Sequence, residues 1–320
     1  MLEKITYPNI NAKLKGMYAK TLSQEDLEDL LKQKTIKDAI IILKSKLKPL
    51  EDLKINATRI ELESELDNLI ISDIEKIYKH LDNKTKKIFD SYILKYKMKI
   101  LRIIWKELVV GRQFERENEL ANWMKCFKEL DGIENIQTQE EFLEIIKDKK
   151  LKKIFGENEN LFDLESLLTK YYYENLYLEA KGTSTNLKDI ISEQIDIINI
   201  SSIYRCKKYY GFYKDKYFIN YGKILKKEDI QEIENVESLQ EIKELLKNTK
   251  YREIIETSIE ENSKKYMHKK FKKYFREEQF DIISIIAYFY IKEVEQANIV
   301  TIIEGIRYKL TPEEIRKQLS

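Results

Sequence analysis

The chain has 320 residues, more than one hydrophobic core usually organises, so two or three subdomains are expected. Only 8 glycines and 3 prolines occur, 36% of residues are charged and 42% are hydrophobic, which favours helix and excludes a disordered chain. Basic residues number 58 against 56 acidic ones, so a global basic clamp for nucleic acid is not indicated.

Met1 to Met17 carries charges throughout, unlike a secretory leader. Pro8 suits the start of a helix, where its missing N–H costs nothing. Next comes Ser23 to Ile40, SQEDLEDLLKQKTIKDAI, a segment the chain writes three times. It returns as Thr138 to Phe155, TQEEFLEIIKDKKLKKIF, and as Ser238 to Ile255, SLQEIKELLKNTKYREII. Such self-similarity marks one structural unit used repeatedly. Each copy opens with a hydroxyl and an acid three residues on: Ser23/Asp26, Thr138/Glu141, Ser238/Glu241. That is the capping-box pattern, in which the hydroxyl accepts from an orphan helix N–H and the acid reaches back. Apolar residues follow at i, i+3, i+4 spacing, as in Leu27, Leu30, Leu31 and Phe142, Ile145, Ile146 and Ile242, Leu245, Leu246. A second short stripe reads Ile36/Ile40, Leu151/Phe155 and Tyr251/Ile255.

Lys48-Pro49 ends the first short helical pair. A long amphipathic helix begins at Arg59 and carries Leu62, Leu66, Leu69, Ile70, Ile74 and Ile77. Another runs from about Lys86 to Val110, with Gly111 as its stop. After the second copy come helices over Leu161 to Ala180 and Leu187 to Tyr210, the latter ending at Gly211. Phe212 to Gly222, aromatic and lysine-rich, reads as a linker. The third copy is followed by helices over Ile259 to Phe275 and Phe280 to Gly305, and Thr311-Pro312-Glu313-Glu314 caps a last short one. The longest uncharged run, IISIIAYFYI from Ile282 to Ile291, is half the length of a bilayer span, so a buried helix in a soluble protein is expected. Cys126 and Cys206 read as free thiols in a reducing compartment.

The repeating unit is therefore a capped helix, a short helix and two long helices. Three such units predict an all-α protein with pseudo-threefold symmetry, divided into an N-terminal helix with lobe 1 over 1–115, lobe 2 over 116–222 and lobe 3 over 223–320. Units this long disfavour an open solenoid.

Chemistry is sparse. Neither a G-x-x-x-x-G-K-[ST] phosphate loop nor a G-x-G-x-x-G turn is present. His80 and His268, the only histidines, are expected on the surface. Paired acids such as Glu140/Glu141 and Glu260/Glu261 read as caps and solvated faces. So do the lysine runs Lys149/Lys150/Lys152/Lys153 and Lys264/Lys265/Lys269/Lys270, although these and the 21 tyrosines could also serve nucleic acid. No catalytic residue, cofactor or metal is expected.

One polar constellation stands out, on the last long helix of two units. Asp196, Asn199 and Ile203 share a face there, followed by Arg205; Glu295, Asn298 and Ile302 do the same, flanked by Glu293 and Arg307. An asparagine amid so many isoleucines is expected to pair with the backbone of a crossing helix and fix its register, or else to touch a partner. The first unit has Tyr96, Lys99 and Ile103 at these places, a degenerate version.

At these residues the chain resembles the C subunits of A/V-type rotary ATP synthases/ATPases, a family that includes the d subunit of the eukaryotic V-ATPase. The tail YIKEVEQANIVTIIEGIRYKLTPEEI is similar to that family's C-terminal signature. The start YPNINAKLKGMYAKTLSQEDLEDLL is similar to its N-terminal pattern at Asn9, Ala12, Lys13, Lys15, Met17 and Leu22. The Asn199 and Arg205 helix resembles the middle signature. The resemblance implies a funnel-shaped, three-lobed, non-catalytic rotor part, cytoplasmic and peripheral to the membrane. It would seat the central-shaft subunits D and F on the membrane ring of ion-carrying proteolipids, in a proton- or sodium-translocating complex. Two other readings stay open from the residues alone: a helical scaffold outside any rotary machine, and a helical enzyme or nucleic-acid binder.

Overall fold

The computed structural model describes residues 3–111, 122–124, 126–158, 160–211, 213–226, 239–255 and 258–320. Among them every regular element is a helix, so the protein is all-α. Helix α1 spans Glu3–Tyr18, α2 Gln24–Leu31, α3 Ile36–Lys46, α4 Arg59–Tyr78 and α5 Asn83–Val110. The second repeat supplies α6 Gln139–Ile145, α7 Lys149–Gly156, α8 Leu161–Lys181 and α9 Thr185–Tyr210. The third supplies α10 Leu239–Leu246, a 3-10 turn Arg252–Ile255, α11 Ile259–Glu277 and α12 Ile283–Arg307, before the final α13 Pro312–Gln318.

The helix ends follow local chemistry. Full capping boxes form at Ser23/Asp26, Thr138/Glu141 and Thr311/Glu314. The equivalent cap residue of the third copy, Ser238, lies outside the described residues. Gly111 and Gly211 end α5 and α9 with φ of 70° and 72°, in the left-handed region where a side chain would be strained. Pro8 sits inside α1 rather than at its start. As the sixth residue of the helix it leaves the carbonyl four residues back without its helical donor.

The chain packs as two compact units, one of Met1–Asp82, Asn118–Asn122 and Lys264–Ser320, the other of Asn83–Glu117 and Trp123–Ser263. In the first, Leu30, Leu31, Ile40 and Leu43 of α2 and α3 are at most 2% exposed and share one cluster with Ile299, Ile302 and Ile303 of α12. Each such side chain is worth about 1.5–3 kcal/mol of burial, so the cluster outweighs any single polar contact in the unit. Gly305 lets α13 close on α12, since a Cβ there would stand 2.5 Å from Ile315 Cγ1. For that reason Gly305 lies within α12 and does not end it. The helix runs on to Arg307, and the turn is made by Lys309 at a φ of 58°.

In the second unit the aromatic rings of Trp105, Phe142 and Phe155 meet at 5.1–5.6 Å between centroids, so α6 and α7 rest on α5. Tyr172 on α8 donates to the Tyr92 carbonyl of α5 at 3.1 Å. Tyr217, Phe218 and Ile219 are only 2–3% exposed, so Phe212 to Gly222, whose first residue lies outside the described ones, is no free linker. It contains a 3-10 turn, Asp215–Tyr217, and is packed.

A rule emerges across the repeats. The capped pair of the first repeat rests on the last long helix of the third, α12, and that of the second rests on α5 of the first. The third copy, in turn, reaches α9 of the second through Tyr251. Each capped pair thus also packs against a repeat other than its own, beside its own repeat's long helix: Leu62 and Leu66 of α4 join the cluster of α2 and α3, and α7 packs on α8.

His80 is exposed, beside Lys13, but His268 is not the surface residue its neighbours suggest. It is half-buried, and its Nε2 is enclosed with no hydrogen-bond partner among the described residues. Burial, helped by the nearby Lys272 ammonium, pulls its pKa down from 6.5 to about 4. A depressed histidine pKa means that the unfolded chain binds the proton more readily. Its stabilisation is thus intact above about pH 6.5 and is lost as the pH falls toward 4. Urea midpoints measured at pH 7 and pH 4.5 should drop more for the wild type than for His268→Leu. Equal drops would show that His268 titrates normally.

Candidate functional site

The sequence singles out one helical face, and the structure assigns work to it. Asp196, on α9, is fully buried. Its carboxylate accepts backbone N–H groups from Lys223 at 3.0 Å, Ile224 at 2.9 Å and Leu225 at 3.1 Å, and the Tyr251 hydroxyl at 2.7 Å. Burial pushes its pKa up, while these four donors pull it the other way without cancelling the shift. One turn on, Asn199 donates to the Ile219 carbonyl at 2.9 Å and accepts from the Ile219 N–H at 3.0 Å. This side chain therefore replaces a neighbouring strand, satisfying both backbone groups of a buried residue.

The same device recurs on α12. Glu295 accepts the Leu22 N–H at 2.5 Å, just ahead of the first capped helix, and is paired with the buried Lys292 ammonium. Asn298 accepts from the Ser320 N–H at 3.1 Å and donates to its carbonyl at 3.3 Å. In both copies the acid grips the segment running toward a capped helix, and the amide three residues later grips a second segment. The amide's partner is irregular backbone rather than the crossing helix expected from the sequence. A regular helix already uses its own carbonyls and N–H groups, whereas a loop has both to offer.

In the first repeat the device is aromatic. Tyr96 stacks on Trp123 with centroids 4.1 Å apart. Trp123 stands as far along the chain from Tyr96 as Lys223 stands from Asp196. Lys99, at the amide position, is exposed. The remaining candidates lie outside the grip: Arg205 is exposed, Glu293 is half-buried, and Arg307 pairs with Glu304 at 2.9 Å and reaches the Ala57 carbonyl at 3.4 Å.

Three participants are not evident from the sequence. Glu193 is 3% exposed and binds Lys250 at 2.5 Å and Lys223 at 3.2 Å, one turn before Asp196. Tyr251 shows in the sequence only as part of an apolar stripe. Gly222 allows the carboxylate its approach, because a Cβ there would sit 2.2 Å from Asp196 Oδ1 and 2.8 Å from the Leu225 carbonyl oxygen. A glycine between aromatic and lysine-rich residues is the available signal.

Asp196 is enclosed and met by four donors, so a substrate cannot reach it. The arrangement is a latch on backbone. The family model described as ATP synthase (C/AC39) subunit matches residues 10–318. The C subunit of the A-type ATP synthase of Methanocaldococcus jannaschii is 22% identical, across 100% of this chain and 87% of its own length. That of Methanosphaera stadtmanae is 23% identical, across 98% and 87%. That of Pyrococcus furiosus is 22% identical, across 98% and 89%.

Replacing Asn199 by leucine strands both backbone groups of buried Ile219 and should cost about 1–3 kcal/mol. Asn298→Leu should cost less, because Ser320 is only half-buried and water can replace the amide. Urea denaturation of the two variants reads the difference. A wild-type midpoint for Asn199→Leu would show that the amide latch does not stabilise the fold, and equal losses would show that the burial of the partner does not set its worth.

Proposed function

The chain belongs to the ATP synthase (C/AC39) subunit family, and from this membership we propose that it is the non-catalytic central-rotor subunit of an A/V-type ATP synthase/ATPase. It is a socket, seating the central shaft of subunits D and F on the membrane ring of ion-carrying proteolipids and passing torque between them. The observation that carries the reading is the family match over residues 10–318.

Three features of the chain support it. Capped pair, long helix, long helix is written three times, which suits three lobes over 1–115, 116–222 and 223–320 around a pseudo-threefold axis, enclosing a funnel. Four of the polar groups singled out by the sequence, Asp196, Asn199, Glu295 and Asn298, hold backbone, as a stiff part requires. No helix among the described residues is long and apolar enough to cross a membrane, as a subunit seated peripherally on the cytoplasmic face requires.

The energetics set the demand. Each ion crossing the membrane delivers about 2.3 kcal/mol per charge per 100 mV. A coupling between ring and shaft must carry that work without yielding, and it makes or breaks no covalent bond. Latches that tie each capped pair to another repeat provide such stiffness, because one lobe cannot deform without straining the next.

The test is rotation. In the assembled enzyme, a cysteine introduced on this chain is cross-linked to a stator subunit. Coupled ATP-driven ion pumping should stop and should return when the bond is reduced. Unchanged pumping with the cross-link complete would show that the chain does not rotate.

A further inference from the structure

The chain as a whole is close to neutral, with 58 basic and 56 acidic residues, yet α11 carries a long basic run without a single acid. Residues 263–276, SKKYMHKKFKKYFR, hold six lysines, one arginine and no acid. They form most of α11, and helical geometry sorts them by face. Met267, Phe271 and Phe275 are at most 4% exposed and form the inner side. Lys265, Lys269, Lys272 and Arg276 recur at i, i+4, i+7 and i+11, all exposed, along a line about 17 Å long. No carboxylate among the described residues lies within ion-pairing distance of Lys265, Lys269 or Lys272. At the end of the line Arg276 meets Glu277 at 3.0 Å, and Lys273, beside it, meets the same carboxylate at 3.9 Å.

The field of this face reaches neighbouring groups. Lys272 adds to the burial that depresses His268, and Arg276 adds to the burial that lowers Lys15. A charge line with an ordinary structural purpose would be neutralised from the elements around it. Here two of the groups packed nearby are instead repelled.

We infer that the lysine face of α11 is a docking surface for an anionic membrane, held by attraction to phospholipid headgroups without insertion. The chemistry of the face decides between occupants. Protein interfaces are anchored by exposed aromatic residues and arginine and are depleted in lysine. This line presents lysines and a single arginine, while Met267, Phe271 and Phe275 all point inward. Single-stranded nucleic acid wants aromatic platforms for stacking, and none of the four residues on the line is aromatic. A lysine ammonium is a mobile point charge that needs no fixed partner geometry, which suits a fluid layer of headgroups. Each lysine near such a surface contributes about a fivefold gain in binding, and screening limits the effect to about a Debye length.

The inference does not depend on the rotary reading, because vesicles without any ATPase component test it. The full chain is mixed with vesicles of phosphatidylglycerol in phosphatidylcholine and with vesicles of phosphatidylcholine alone, then sedimented at low and at high salt. Binding should require phosphatidylglycerol and weaken with salt. Lys265→Gln, Lys269→Gln and Lys272→Gln together should lower it about a hundredfold. Lys149→Gln, Lys152→Gln and Lys153→Gln remove as much charge from α7 and should change it less than about threefold. Circular dichroism of both triple variants checks that the helices remain. The inference is overturned if the two triple variants lose binding equally, if the α11 variant binds like the wild type, or if the wild type ignores phosphatidylglycerol. Tighter binding to duplex DNA or to polyglutamate than to the vesicles overturns it as well.

Discussion

A chain segment crossing the face of a buried helix brings N–H and carbonyl groups into a place where water cannot serve them. Leaving one unsatisfied costs about 1–3 kcal/mol, comparable with the burial of a whole apolar side chain. This protein meets the constraint with side chains placed mid-helix. Asp196 takes three consecutive N–H groups, Asn199 takes both groups of Ile219, and Glu295 and Asn298 do the same work on α12. The segments held by the two acids, at Leu22 and at Lys223–Leu225, are the ones that run toward capped helices. Without them the apolar stripes of α2 and α3 would have no fixed approach to α12. Packing supplies the energy here, and the latches supply the address.

The first repeat shows that the address matters more than the chemistry used to write it. Tyr96 and Trp123 replace a carboxylate and its backbone donors with a ring stack of 4.1 Å. An aromatic pair fixes position through area and ring geometry, without a buried charge that needs several backbone donors. That substitution explains why the motif looks degenerate in the sequence while the packing order is kept.

What is legible in the sequence is local. Ser23/Asp26 and Thr138/Glu141 lie three residues apart, so the capping boxes can be read directly, and the long helices end within a few residues of the places their glycines and apolar stripes indicate. Asn199 and Asn298 stand out because a polar residue in an isoleucine-rich stripe needs a reason. Their partners do not stand out, because Glu295 reaches Leu22 across 273 positions and no spacing rule extends so far. His268 misleads for a related reason: lysines on either side imply a solvated face, but a helix turns 100° per residue and buries what stands between them. The packing of each capped pair on another repeat is also out of reach, because self-similarity reveals the unit and not which neighbour receives it.

The central claim is that the first repeat is held by the last. Hydrogen exchange under native conditions tests it most directly, in the full chain carrying Ile302→Ala. Ile302 is 0% exposed in the cluster shared with α2 and α3, and its truncation should cost about 2–5 kcal/mol. Amides of α2 and α3 should then lose as much protection as those of α12 itself, while α6 and α7, which rest on α5, keep theirs. Unchanged protection across Gln24–Leu31 and Ile36–Lys46 would contradict the account.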